Sequence, residues 1–333
     1  MDPFFLVVFG ILLALAFDFA NGLNDAANAV STVIATRVLS LRAAVLLSAF
    51  FNFVAAFVFS TEVAKTIGKG IVQADAVSVV VVLACLVSAM SWTYWASFKG
   101  IPVSASHALI GGLVGAAIAA NGVGVILSQG LLVIILFIFI APVTGFVFSL
   151  LFSALVLRLS KSFSPHSANQ YFKKLQLLSV SVYSLGHGTN DAQKTMGIIS
   201  LLLFSGGMLG SQFNVPWWVV ILSHSVIAAG TLAGGWRVIK TMGTKITHLK
   251  PIDGFSAETS GAGVIIASTM FGIPVSTTHV IAGSIMGVGV TKRIAAVRWG
   301  VARNIMVAWL LTIPVTLFFG GAVYFLMRPF LGA

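Results

Sequence analysis

Apolar residues run along this chain in long blocks, Phe4 to Phe19, Ala43 to Ser60, Val77 to Phe98, Leu127 to Leu159 and Pro216 to Leu232, and charged residues gather between them. Each block reaches or approaches the ~20 residues that carry a helix across a bilayer, so the pattern predicts membrane-spanning helices. Leu127 to Leu159 would make about 50 Å of helix at 1.5 Å per residue, enough for two crossings broken at Pro142. The Gly100 to Ala120 block opens on Gly-Ile-Pro, is rich in glycine and would then form a re-entrant hairpin. Two apolar segments carry an Asn-Asp pair, "FDFANGLNDAANAVSTVIAT" and "SLGHGTNDAQKTMGIISLLL". Glycine and asparagine beside the acid favour a local helix break, and lipid tolerates a break only where it lines a polar cavity.

Composition fixes the solvent these blocks meet. Hydrophobic residues make up 58% and charged residues 8% of 333 positions, and the mean hydropathy is +1.05, values far from those of soluble domains. The pattern is that of an all-α polytopic membrane protein with no soluble domain left over. Its first apolar stretch lacks a basic start and a small-residue cleavage site, which reads as a retained helix. Cys85 is the one cysteine, so an internal disulfide framework and a thiolate metal cluster are excluded. The net charge of +11 raises nucleic acid as a partner, yet the basic residues sit between apolar blocks without an aromatic-basic platform, which argues against it. Topology explains them better. With the N-terminus outside, the inward connections hold Arg37 and Arg42, Lys99, Arg158 to Lys174, Arg237 to Lys250 and Lys292 to Arg303, while Lys65, Lys69 and Arg328 face outward.

The chain is also written twice. "GIPVSASH" at Gly100 to His107 returns as "GIPVSTTH" at Gly272 to His279, Asp25 answers to Asp191, and Pro142 answers to Pro314. The organisation expected is a first repeat over residues 1–160, a short cytoplasmic linker at 161–172 and a second repeat over 173–333. About five hydrophobic segments per half, an odd number, would insert the halves with opposite orientation. Inverted repeats with broken helices point to an alternating-access carrier whose site lies at the repeat interface near mid-membrane.

Candidate chemistry follows from what is costly in lipid. Asp25 and Asp191 are ionisable groups inside membrane segments, where functional use is the default reading. A carboxylate beside amide oxygens suits a hard cation such as sodium, or a proton. The cation-coupling set is Asp25, Asp191 and Asn28, with Asp18 and Glu258 flanking the cavity or lying at its rim; sodium, if it is the coupling ion, falls to Asp25 and Asp191. The substrate-binding set is Ser104, Ser106, Ser276, Thr277 and Thr278 with Asn24, Asn190 and Lys194. Proline at a first helical turn followed by hydroxyls presents free N–H groups and side-chain donors to an oxyanion, although an ordinary helix cap explains one serine per motif. Lys194 stands where the first repeat has Asn28 and would neutralise the acid, touch the anion or snorkel to the interface. His107, His187 and His279 read as polar residues bonded within the bundle ahead of metal ligands or proton relays.

At "NGLNDAANAVSTVIATRVLS", "GHGTNDAQKTMG", "GIPVSTTHVIAGSIMGVG" and "GGWRVIKTMGTKITHLKPIDGFSAE" the sequence resembles the PiT family of inorganic phosphate transporters. The resemblance covers nearly the whole chain and implies sodium- or proton-coupled phosphate symport, with the Asn-Asp segments and the Pro-Val-Ser hairpins forming the site. Ala105 departs from the pattern where the second repeat has Thr277, and the central join is short where many relatives carry a long hydrophilic loop.

The function expected is therefore a secondary carrier importing inorganic phosphate across the cell membrane, with a sulfate permease as its nearest alternative and an anion channel behind it. An enzyme is not expected, because no activated nucleophile or ligand-spaced cluster stands in the sequence. Expected partners are phosphate or sulfate, sodium or a proton, the lipid bilayer and a second copy in a homodimer, without a cofactor or nucleic acid. Parity makes a direct prediction. In a Cys85→Ser background, single cysteines at Gln129 and Gly207 should react with an impermeant thiol reagent from outside, and those at Ser162 and Thr244 only from the cytoplasm. Outside labelling at 162 would overturn the N-outside orientation.

Overall fold

Apolar blocks in this chain become helices because a bilayer offers no partner to an unpaired backbone group. The computed structural model describes residues 3–58, 60–210 and 212–331. The first half supplies α1 (Pro3–Ala35), α2 (Leu41–Val54), α3 (Glu62–Lys69), α4 (Val79–Lys99), α5 (Ala105–Asn121) and α6 (Ser128–Leu159). The second repeats the order with α7 (Pro165–Ser205), α8 (Trp217–Ala233), α9 (Trp236–Lys240, continued by a π turn at Thr241–Lys245), α10 (Pro251–Met270), α11 (Thr277–Lys292) and α12 (Trp299–Leu331). Four of these, α1, α4, α6 and α12, are long and apolar enough to cross a membrane, and α2–α3 and α8–α9 qualify as single spans bent by 83° and 67°. Gln129, Ser162, Gly207 and Thr244 are all exposed.

Several expectations change. Each half holds six helical elements, the additional one being the short limb of the bent pair. The Asn-Asp motifs lie inside continuous helices, α1 and α7, and not at breaks. The breaks fall instead at residues 100–104 and 272–276, where Gly100 and Gly272 adopt φ of +70° and +68° and release the chain ahead of the Pro-Val-Ser turns. Pro142 likewise stays within one helix, α6, so Leu127 to Leu159 contributes a single element. At the join, α7 begins at Pro165 with Ser164 as its cap, and residues 165–172 of the expected linker are its first turns.

Helices α1 and α7 cross antiparallel. Val7 lies under Gly206 and Gly10 under Leu202 at one end, Thr195 donates to Asp18 further along, and Thr36 donates to Gln176 at the other end. The halves are interlocked as well, because α5 packs on α12 and α11 on α6. Small residues make both seams. A methyl group on Gly115 would stand 1.8 Å from the Leu317 carbonyl oxygen, and one on Gly283 would stand 2.2 Å from that of Pro142. Gly111 with Gly115 and Gly283 with Gly287 are both G-x-x-x-G pairs, which let backbones approach where lipid supplies no hydrophobic drive.

These contacts predict that Gly115→Ala and Gly283→Ala each force α12 or α6 outward, at roughly 1–3 kcal/mol for an overpacked site. A lower thermal unfolding temperature in detergent would register it. Gly124→Ala, with nothing within 4 Å, should leave that temperature unchanged.

Candidate functional site

Along α1, Asp18, Asn21, Asp25, Asn28 and Thr32 recur at spacings of three and four and so share one face. On α7 the same spacing aligns Gln176, Ser179, Tyr183, His187, Asp191 and Lys194. All of these side chains are buried, Asp25 at 2% exposure and Asp191 at 0%. The antiparallel crossing lays the two faces against each other as a polar seam through an apolar bundle. An uncompensated charge at such depth costs several kcal/mol, so each acid needs partners.

At the centre the partners come from the N-terminus of α11. Thr277 donates to Asp191 Oδ2 at 3.0 Å, and the hydroxyl of Thr278 lies 3.3 Å from Asp25 Oδ1 and 3.3 Å from the Val103 carbonyl. Adjacent hydroxyls thus take one carboxylate each. Asn28 Nδ2 donates to both, at 3.3 Å to Thr277 and 2.9 Å to Thr278. Lys194 donates to Asp191 Oδ1 and, at 2.9 Å, to the Val275 carbonyl, so it pairs within the bundle and does not snorkel. Asn24 donates to Asp25 Oδ1 at 2.7 Å and to Val103 O at 3.3 Å, and accepts from Ser97. His187 Nδ1 faces Asn52 Oδ1 at 3.2 Å, which turns Nε2 to 3.1 Å from Asp191 Oδ2. One ligand atom each from Asp25, His187 and Asp191 lies within 4.8 Å of the others, a spacing a bound cation could bridge.

The remaining expected residues divide. Ser104 and Ser276 are caps, accepting from the N–H groups of His107 and His279 at 3.2 and 3.3 Å. Ser106 is buried outside the bonded cluster, and Asn190 turns away to donate to Thr269 at 2.8 Å. Asp18 accepts from Thr195 at 2.8 Å in a separate contact. Glu258 belongs to a third set, accepting from Thr32 at 2.6 Å, Gln176 at 2.8 Å and Ser179 at 2.5 Å. His107 and His279 meet edge to face with ring centroids 4.8 Å apart, and His279 stacks on Trp309. Sequence reasoning did not single out Thr32, Gln176, Ser179 or the two valine carbonyls. The seven-residue spacing of Asp18, Asp25 and Thr32 was the signal available for the first.

The centre therefore joins two acids, one ammonium, amide and hydroxyl donors, and the N-termini of α5 and α11, where free N–H groups and the helix dipole favour an anion. Such a set can hold an oxyanion beside a hard cation. The model of the phosphate transporter family matches this chain twice, over residues 21–168 and 158–320. The chain belongs to the phosphate transporter family. Within that family it is 52% identical over 315 residues to a Rhizobium meliloti protein named "probable low-affinity inorganic phosphate transporter", covering 95% of this chain and 94% of the relative. A Bacillus subtilis protein of the same name is 40% identical over 325 residues, 97% of each chain. A solved structure titled "The sodium-dependent phosphate transporter" superposes with a TM-score of 0.88 at 26% identity, covering 98% of this chain and all of the other.

In this family member the cap geometry yields a prediction of its own. Ser104→Ala and Ser276→Ala should each lower stability by about 1 kcal/mol, the usual loss for an N-cap, read as a lower unfolding temperature. Ser→Thr at either position keeps a neutral hydroxyl acceptor for the cap and should restore most of it.

Proposed function

We propose that this chain imports inorganic phosphate as a secondary carrier, with the anion bound between the first turns of α5 and α11 and the two Asn-Asp faces. The observation that carries the reading is the pairing of Thr277 with Asp191 and of Thr278 with Asp25 on successive residues of one helix terminus. That arrangement sets anion-binding N–H groups beside two carboxylates. Two acids, Asp25 and Asp191, face the single lysine Lys194, so a phosphate entering this depth needs an accompanying cation. Sodium or a proton fills that role, which makes the carrier a symporter. The nearby carboxylates also favour phosphate over sulfate. Phosphate near neutral pH retains a proton to donate to an acid, whereas sulfate offers acceptors only.

The antiparallel crossing of α1 and α7, which are repeat-related, supports reading the halves as inverted and the motion as alternating access around the seam. The basic connections support a multi-pass orientation in the cell membrane with the N-terminus outside, and residues 1–2 themselves lie beyond the described ones.

Radiolabelled uptake into proteoliposomes tests the reading. Phosphate uptake should exceed sulfate uptake and depend on a sodium or proton gradient. Asp25→Asn and Asp191→Asn should each insert and purify but lose gradient-driven uptake by at least ten-fold. Wild-type gradient dependence in both variants would remove the carboxylates from the coupling site.

A further inference from the structure

The two halves place chemically different groups at the same position. Asp25 corresponds to Asp191, Val103 to Val275, and Asn28 to Lys194. In the second half the Asp191 carboxylate and the Val275 carbonyl converge on one donor, the ammonium of Lys194, with His187 against the other carboxylate oxygen. In the first half the corresponding oxygens, those of Asp25 and Val103, meet neutral donors only: the Thr278 hydroxyl lies 3.3 Å from each and Asn24 Nδ2 donates to them at 2.7 and 3.3 Å, while Asn28 Nδ2 approaches the Thr278 hydroxyl at 2.9 Å. Asn28 Oδ1 is buried there without a hydrogen-bond partner among the described residues. A carboxylate, a backbone carbonyl and an unpartnered amide oxygen are the donors that hard cations take, and the amide oxygen is free to turn towards one. Among the described residues, none beside Asp25 in the first half brings the positive charge that Lys194 brings to the second.

We propose that Lys194 is a tethered cation, its ammonium filling the second half's cation position, so that only the first half, around Asp25, Val103 and Asn28, takes a free coupling cation. The inference rests on the carrier reading above and deepens it. Tethering changes the coupling count. A carrier with asparagine at both positions would take two cations beside its anion; this one takes one fewer, because the ammonium travels with the protein. Lys194 is then a residue that sets coupling specificity, and the Asp191–Lys194 pair is the substitute for an ion rather than a contact made only for stability.

Equilibrium binding of radiolabelled phosphate to the purified full chain in detergent tests this. Affinity is titrated with sodium chloride against choline chloride at constant ionic strength, and against pH, for wild type, Lys194→Asn and Asn28→Lys. Linkage makes the slope of log affinity against log cation concentration count the cations taken up with the anion, sodium and proton slopes together. Lys194→Asn should raise that summed order by about one, so that a ten-fold rise in cation tightens phosphate about ten-fold more than in wild type. Asn28→Lys should lower it by about one. An unchanged order in Lys194→Asn overturns the proposal; where that variant does not fold, an unchanged order in Asn28→Lys overturns it. Wild-type protein that binds no phosphate at all would instead defeat the carrier reading and leave a different signature from either result.

Discussion

Compensating two carboxylates in the middle of an apolar bundle is the constraint around which this protein is arranged. Asp25 and Asp191 are both buried, one on α1 and the other on α7. Low-dielectric surroundings make each charge expensive until donors reach it. The antiparallel crossing of α1 and α7 brings the two polar faces together, and the chain breaks before α5 and α11 bring helix termini up to them. Lys194, Thr277, Thr278 and Asn24 then supply the donors. Remove the compensation and the scaffold has no reason to interrupt α4–α5 or α10–α11 at that depth.

The scaffold follows the duplication more faithfully than the centre does. Glycine pairs at Gly111 and Gly115 and at Gly283 and Gly287 make two matching seams, α5 on α12 and α11 on α6, that each join one half to the other, since lipid gives no other strong drive for helices to associate. At the site the halves diverge, with Ala105 against Thr277 and Asn28 against Lys194. The hydroxyl that Ala105 lacks is the one that, as Thr277, donates to the salt-bridged acid. The acid without a lysine is met instead by Thr278 and Asn24. Symmetry thus supplies two positions, and side-chain differences assign them different charges.

Much of this was legible in the sequence because charge inside an apolar block is conspicuous. Composition identified the membrane, the doubled motif identified the repeat, and Asp25, Asp191, Thr277 and Thr278 do meet. The breaks were misplaced for a physical reason. Glycine and asparagine at Asn21 to Asp25 carry weak helix propensity, but these residues are almost all buried in the bundle, where packing and lipid's demand for internal hydrogen bonds hold the helix. Pro142 stayed inside α6, a helix with much of its flank exposed, because lipid's demand for internal hydrogen bonds alone favours a continuous helix. The valine carbonyls were invisible because a backbone oxygen has no signature in a side-chain alphabet. The seam itself was hidden because periodicity expects the polar face of a helix to meet water, and α1 and α7 bury theirs.

The two ends of the seam differ in kind, and the repeat makes the comparison direct. Towards one end Glu258, Gln176, Ser179, Thr32 and Thr36 form a bonded cluster joining α1, α7 and α10. The positions related to these by the repeat are Leu86, Gly10, Leu13, Ile198 and Leu202, and Gly10 lies against Leu202 and Leu83 at the other end. A buried carboxylate with three donors demands directional contacts and loses them if the helices part, but its groups are then readily hydrated. An apolar contact makes no directional demand and excludes water when closed. Separating the helices would therefore expose polar groups at one end and apolar surface at the other, so different forces hold the two ends together.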